Sequence, residues 1–412
     1  MVACDIQIDD DSDLPARYGE LGKDKANELA TQFPERFPGS DQEEAAANWL
    51  LSELNDLGYE PKLQEFSTTD SDGNQINSQN IIVEISGIGF ATTGDGLEEN
   101  SENSTLENPD DINQRFIIIG THYDTPVKAN TVENQVAGQA DGIHNNAAGV
   151  GSLITLLNQM KNTPPGFDTQ VVFFGASDID YAGSRAFFES MTDEERSLLE
   201  VMYNVDRIYA GDKVYAHSGV NSITDEYQKS YEKRQKLYEI TDVYYNNLLL
   251  TNNNFALYTN QNIFSVNSPM TGELALFREW TTTTGDHTVF DEAGYPIVFI
   301  ESFEYDVENY SEIGKESTDP YFAQVNGIVD RTNLDSSYFL NSYFMTTEEE
   351  QTEDAYAITE AESENSNGME QGIPLEDLND DKNIDRLERR INNIAFLLLE
   401  CSRYAGVEYE LK

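Results

Sequence analysis

The run Phe116-Ile-Ile-Ile-Gly-Thr-His122-Tyr-Asp124-Thr125 reads as a buried strand ending in a histidine and an aspartate two residues apart. A histidine where a sheet strand stops is placed to hold a metal, and a nearby carboxylate fixes its ring in one tautomer. Further candidates follow other strand-like runs. Asp178 comes just after Val171-Val-Phe-Phe174, and Asp206 directly after Val201-Met-Tyr-Asn-Val205. His287 stands in Gly285-Asp-His-Thr-Val-Phe290, shortly before Pro296-Ile-Val-Phe-Ile300. In a parallel sheet functional groups collect beyond the carboxyl ends of the strands, so positions far apart in sequence converge. Histidine and carboxylate are zinc ligands, and two such ions ~3.5–4 Å apart share a nucleophilic water.

The elements that must position these residues are legible around them. Ser40-Asp-Gln-Glu43 has the form of a capping box opening a helix through Trp49, Leu50, Leu54 and Leu57, which Gly58 closes. Ile81 to Ile85 reads as a strand. Residues 92–113 read as a polar, acidic surface loop. Ala147 to Met160 is helical, with Val150, Leu153, Ile154 and Leu157 on one face, and Thr163-Pro-Pro-Gly166 breaks it. Gly183 to Phe188 starts another helix. The last helix carries Ile384, Leu387, Ile391, Ile394 and Leu398 at spacings of three and four. Strands alternating with helices predict a largely parallel sheet covered by helices. Two stretches read as insertions. Residues 222–262 are rich in Tyr and Asn and expected to be partly helical; residues 303–378 are acidic, irregular and expected to be exposed.

The chain has 412 residues, 76 of them acidic and 25 basic, for a net charge of −51. Phosphate contacts need clustered Lys and Arg, so this composition excludes nucleic-acid binding as a default and opposes docking to an anionic membrane. Solubility or a saline habitat accounts for the charge. The two cysteines, Cys4 and Cys401, lie at opposite ends and provide neither a disulfide framework nor a cysteine zinc site. No apolar run approaches the ~18 residues of a membrane span. Val2-Ala3-Cys4 resembles the end of a bacterial lipoprotein signal, which would make Cys4 a lipid anchor, residues 1–14 an acidic tether, and the location extracellular or cell-surface.

Together these motifs resemble metallopeptidase family twenty-eight, which holds di-zinc aminopeptidases, glutamate carboxypeptidases, glutaminyl cyclases and inactive relatives. The resemblance begins at Phe37-Pro-Gly-Ser40 and Gly58-Tyr59 and passes through Thr121-His122-Tyr-Asp124-Thr125 and Asn146-Ala-Ala-Gly149-Val150. It continues through Phe173-Phe174, Gly183-Ser184 and Asn204-Val-Asp206, and closes with Asp286-His287-Thr-Val-Phe290 and Ala293-Gly294-Tyr-Pro296. It implies a three-layer α/β/α zinc-exopeptidase-like fold with a mixed, mainly parallel sheet, formed by residues 15–412 as a single domain with the two insertions. It implies His122 and Asp206 on one zinc, Asp178 and His287 on the other, and Asp124 orienting His122. Its bridging aspartate is here Asn145, and its general base, the first glutamate of a pair, is here Ser177, followed by the shorter Asp178.

Both replacements matter physically. A neutral amide does not offset the repulsion of two close cations as a bridging carboxylate does. Serine takes no proton from metal-bound water near neutral pH, and a positioned base contributes ~10²–10⁴-fold. The expectation is therefore an impaired site holding one zinc or none, weak or no peptidase activity, and a role in binding a peptide or protein partner. Restoring Asn145→Asp with Ser177→Glu is expected to recover a second ion and activity. The alternative is an active zinc aminopeptidase in which Asp178, Asp180 or His144 takes an unusual role. Apart from that role, His144 and His217 read as structural histidines. The sequence leaves the oligomeric state open.

Overall fold

The computed structural model describes residues 19–93, 109–126, 139–222, 230–246, 255–259, 263–267, 274–278, 284–305, 314–344 and 385–412. The N-terminal half contains α1 (Gly19–Gln32), α2 (Asp41–Asp56), β1 (Lys62–Thr69), β2 (Gln75–Ile85), β3 (Phe90–Thr92), α3 (Pro109–Ile112) and β4 (Phe116–His122). Then come α4 (Ala148–Met160), β5 (Asp168–Phe174), α5 (Ala182–Ser190), α6 (Asp193–Leu198), β6 (Leu199–Val205) and β7 (Lys213–Ser218). The remainder holds α7 (Tyr231–Asn246), β8 (Leu257–Thr259), β9 (Ile263–Asn267), β10 (Leu274–Arg278), α8 (Thr288–Glu292), β11 (Ile297–Phe303), α9 (Arg386–Ser402) and β12 (Tyr409–Leu411).

Eight strands form the main sheet in the order β1-β2-β5-β4-β6-β11-β7-β8. Its centre, β5-β4-β6-β11, is parallel, while β2 and β7 pair antiparallel on either side. The apolar runs explain the layers. Side chains alternate across a strand, so a continuous apolar run feeds both faces. Ile117, Ile119, Val171, Phe173, Val201, Tyr203, Val298 and Ile300 enter the larger core, which α1, α2, α4, α7 and α9 cover. Ile118, Val172, Phe174, Met202, Ile297 and Phe299 enter the smaller core with Phe187 of α5 and Phe290 of α8. This is the three-layer α/β/α arrangement with a mixed, mainly parallel sheet. Ile119 is fully buried, and its truncation to alanine would cost about 2–5 kcal/mol. Gly149 lets α4 sit against β4: a Cβ there would meet Thr121 Oγ1 at 2.4 Å.

The structure departs from the sequence reading in two places. The helix at 41–56 has only half of its capping box. Ser40 Oγ accepts the Glu43 N–H at 3.0 Å. The Glu43 carboxylate turns away from the Ser40 backbone and instead accepts from Gly39 N, Ser78 Oγ and Ala176 N. The second departure is larger. Residues 314–344 are not an exposed acidic loop. Phe322, Val329, Leu334, Phe339, Leu340 and Phe344 are buried in the main core, and Glu316 and Asp335 are buried beside them. Six apolar anchors outweigh the like charges that composition emphasised. The stretch read as a partly helical insertion at 222–262 does contain, in its described part, the sixteen-residue helix α7. Residues 1–18, with Cys4 and the stretch read as a tether, lie outside the described residues, as do 94–108 and 345–384. No helix among the described residues is long and apolar enough to cross a membrane.

Candidate functional site

Strand ends and the turns after them bring the candidates together. His122 closes β4, Ser177 and Asp178 follow β5, Asp206 follows β6, and His287 precedes α8. Asn145 stands in the turn leading into α4. All but Asp178 of these, together with Asp124, are less than a tenth exposed.

His122 lies between two carboxylates. Its Nδ1 is 3.3 Å from Asp124 Oδ1 and its Nε2 is 3.3 Å from Asp206 Oδ1. Burial alone would lower the ring's pKa, but the two carboxylates hold it well above the ordinary histidine range. Asp206 is opposed by burial and driven well below the carboxylate range by Arg207 and His122. Asp124 does more than face His122. It is fully buried, and its two oxygens accept the backbone N–H groups of Ser177 and Asp178, each at 3.0 Å. One carboxylate thus fixes the end of β4 and the turn after β5.

Ser177 donates its hydroxyl to Asp286 Oδ2 at 3.0 Å. Burial pushes the Asp286 carboxyl up to about 7. His287 stacks on Phe299, with centroids 4.3 Å apart, and its Nδ1 is 3.4 Å from Asn204 Nδ2. His144 does not turn to the site. Its Nδ1 accepts from Tyr209 N and Ala210 N at 3.2 and 3.1 Å, and its Nε2 is 3.4 Å from Glu316. Its ring is thus oriented by two backbone N–H groups of the connection between β6 and β7 and faces Glu316. His217 likewise pairs with buried Glu301, at 3.1 Å. Asp180 points outward, with its side chain 79% exposed near Arg185.

Four residues at the site were missed by sequence reasoning: Arg207, Glu301, Asp330 and Arg331. Arg207 Nε is 3.4 Å from Asp206 Oδ2, its Nη2 is 3.3 Å from Glu301 and its Nη1 is 3.6 Å from Asp330 Oδ2. Arg331 forms an ion pair with Asp178, and its Nε is 3.9 Å from Asp330 Oδ2. Asn145 Nδ2 donates to Asp330 Oδ1 at 2.5 Å. Its backbone N–H and that of His144 both go to Asp335. The signal for Arg207 was present: a charged residue two positions after a buried strand and beside a candidate ligand. Asp330 and Arg331 were hidden in a stretch dominated by acidic composition. Beside Arg331 opens a cavity of about 260 Å³ lined in part by Phe37, Thr125, Pro126, Gln139 and Asn333.

Among the described residues, no group of three or more His, Cys, Asp and Glu side chains is arranged to hold a metal ion. The donor chemistry agrees. The bridging position is an amide engaged as a donor to a carboxylate, and the two aspartates implied as ligands each face a guanidinium. As arranged, this set does not fit a zinc pair.

Residues 104–273 match the family described as Peptidase family M28. The chain is 22% identical over 314 residues to the alkaline phosphatase isozyme conversion protein of Escherichia coli K12, covering 75% of this chain and 79% of that protein. Among solved structures it is similar to the zinc aminopeptidase BSAP of Bacillus subtilis, at 12% identity and TM-score 0.49, over 77% of this chain and 89% of that one. It is also similar to a glutaminyl cyclase of an Acidobacteriales bacterium, at 16% identity and TM-score 0.49, over 79% and 93%. A Zn-dependent exopeptidase from Parabacteroides distasonis gives 15% identity and TM-score 0.48, over 78% and 95%.

Proposed function

We propose that this chain, whose residues 104–273 carry the sequence of peptidase family M28, is an aminopeptidase-like protein with an impaired metal centre that binds a peptide or protein partner rather than hydrolysing it. The observation that carries the reading is Asn145. Its amide donates to Asp330, so the position that would have to supply negative charge between two cations supplies a hydrogen-bond donor. Ser177 adds to it: its hydroxyl is committed to Asp286 and offers no proton acceptor of glutamate strength. The cavity beside Arg331, with Phe37 and Pro126 on its wall and a half-exposed guanidinium at its edge, is a concave, mixed polar and apolar place for a peptide end.

The test is hydrolysis of aminoacyl-anilides by the purified chain in zinc-supplemented and in chelator-treated buffer. The expected rate is at or near background in both. Calorimetric titration with Leu-Gly and Phe-Gly dipeptides should give saturable binding that Arg331→Ala weakens at least several-fold. Zinc-stimulated turnover at an ordinary enzymatic rate would reject the proposal.

One observation favours the second reading, an active zinc aminopeptidase. His122 Nε2 and Asp206 Oδ1 are 3.3 Å apart, the separation of two ligands on one tetrahedral ion with bonds of about 2.0 Å. The same assay decides between the two.

A further inference from the structure

We propose that a fixed salt chain, Asp206–Arg207–Asp330–Arg331–Asp178, takes the place of the two metal ions, with the guanidinium groups supplying the cationic charge and Asp330 the bridging carboxylate. The inference rests on the reading of an impaired centre and extends it to what now holds the site together.

Five observations carry it. Each carboxylate that the resemblance assigns to a different metal faces a different arginine: Asp206 faces Arg207 and Asp178 faces Arg331. One oxygen of Asp330 lies between both arginines, 3.6 Å from Arg207 Nη1 and 3.9 Å from Arg331 Nε. The alternation of charge along the chain is therefore that of ligand, cation, bridge, cation, ligand. Third, Arg207, Asp206, Glu301 and Asp330 have side chains only 14%, 9%, 0% and 12% exposed. Charges this buried must be compensated in place. Fourth, Arg207 and Arg331 have φ of 48° and 57°, left-handed backbone that a non-glycine residue adopts at a cost. Both residues hold this backbone while facing acidic partners. Finally, Asn145 completes the pattern. With the bridging negative charge delivered from Asp330, a carboxylate at 145 would face a like charge, whereas the amide donates to it.

The bridge thus comes from a segment distant in sequence. Residues 314–344 are anchored by their own apolar side chains and by Asp335, which accepts from the backbone of His144 and Asn145. Arg207 is aimed from the other side. Its backbone N–H donates to Asn146 Oδ1 at 3.0 Å, and its carbonyl accepts from the backbone N–H and the hydroxyl of Ser302. A guanidinium presents five donors in a rigid plane and remains charged when buried, so it satisfies several carboxylates without an exogenous ion.

The test is thermal unfolding and elemental analysis of the full chain, with zinc as the probe. The parent should hold well under one zinc per chain after dialysis, and its Tm should be the same in chelator and in micromolar zinc. Arg207→Met should lower Tm by at least about 5 °C, and zinc should recover part of that loss, with no recovery once Asp206→Asn is added. Arg207→Lys, which keeps the charge, should be milder and insensitive to zinc. Should Arg207→Met not fold, Asp330→Asn gives the second measure: it strips the shared carboxylate and should lower Tm comparably. A parent that takes up zinc stoichiometrically with a rise in Tm, or Arg207→Met and Asp330→Asn variants as stable as the parent, overturns the proposal. Silent variants in a protein that also fails to turn over aminoacyl-anilides would overturn the salt chain while leaving the impaired centre standing. Rapid zinc-dependent turnover would remove the impaired centre itself.

Discussion

The Asn145 amide donates to Asp330 across two segments that meet only in the folded chain. A neutral residue at 145 is thus matched to a carboxylate at 330, and the pair should behave as a unit. Asn145→Asp alone replaces a hydrogen bond to a charged acceptor, of about 1.5–3 kcal/mol, with like-charge repulsion. Asn145→Asp with Asp330→Asn restores the complementarity with the roles exchanged. The expected result in urea denaturation is a large loss for the first single variant and a smaller one for the exchange. Additive losses would mean the two side chains do not interact.

Asp124 accepts two backbone N–H groups with the two oxygens of one buried carboxylate. Asp124→Asn keeps the shape but presents an NH₂ to one of those donors, and Asp124→Ala leaves both unpaired. Unsatisfied buried donors cost about 1–3 kcal/mol each. Asp124→Ala should therefore destabilise by about 2–6 kcal/mol, with Asp124→Asn intermediate. Hydrogen exchange should show the Ser177 and Asp178 amides losing protection before those of β5. Unchanged protection at those two amides would refute the anchoring role.

Glu43 gives a pH signature away from the histidines. Burial raises its carboxyl from 4.5 to about 7 in the folded protein, with Asp124 adding to the rise. Between those values the folded chain binds more protons at this group than the unfolded chain does. The group's contribution to stability therefore falls as pH rises from about 4.5 to about 7 and is level outside that window. Glu43→Gln should flatten this part of the stability–pH curve, measured by denaturant midpoints at fixed ionic strength. A curve of the same slope in the variant would assign the titration elsewhere.

How much of this was legible from the chain depended on what each residue had to announce. Ile117 to Ile119 and Val171 to Phe174 feed both faces of the sheet, and a run of apolar residues shows that directly. The strand ends therefore mark His122, Asp178 and Asp206 in the sequence itself. The edge strand β1 and the strand β7, next to the other edge, were missed because they carry mixed polarity, from Lys62 to Thr69 and from Lys213 to Ser218. The partners of the site were hidden for a different reason. Asp330 and Arg331 are defined by contacts to residues more than a hundred positions away, and nothing local distinguishes them from solvated charges. The apolar anchors Phe322, Val329, Leu334 and Phe344 were the available signal that 314–344 folds inward.

The arginines also change what restoration of the site requires. From the sequence, Asn145→Asp with Ser177→Glu is the expected repair. In the structure that double change introduces a carboxylate against Asp330 and a second acid beside Asp286, while Arg207 and Arg331 continue to occupy the faces of Asp206 and Asp178. The double variant should therefore be less stable than the parent and gain little zinc or activity. Adding Arg331→Ala and Arg207→Met frees both aspartates, and Asp330→Asn relieves the repulsion at 145. The fivefold variant should then hold more zinc per chain than the double variant. If its ions and base are correctly placed, it should exceed the double variant on aminoacyl-anilides by about 10²-fold, the contribution of a positioned base. Asp178 remains one methylene shorter than the glutamate that the resemblance would place there, and errors near ~1 Å matter at reacting centres, so Asp178→Glu should raise the rate further. Elemental analysis beside the rate assay separates the steps. Zinc uptake without turnover would locate the remaining fault in geometry, whereas full activity in the double variant alone would show that the arginines yield to metal and that the salt chain is no barrier.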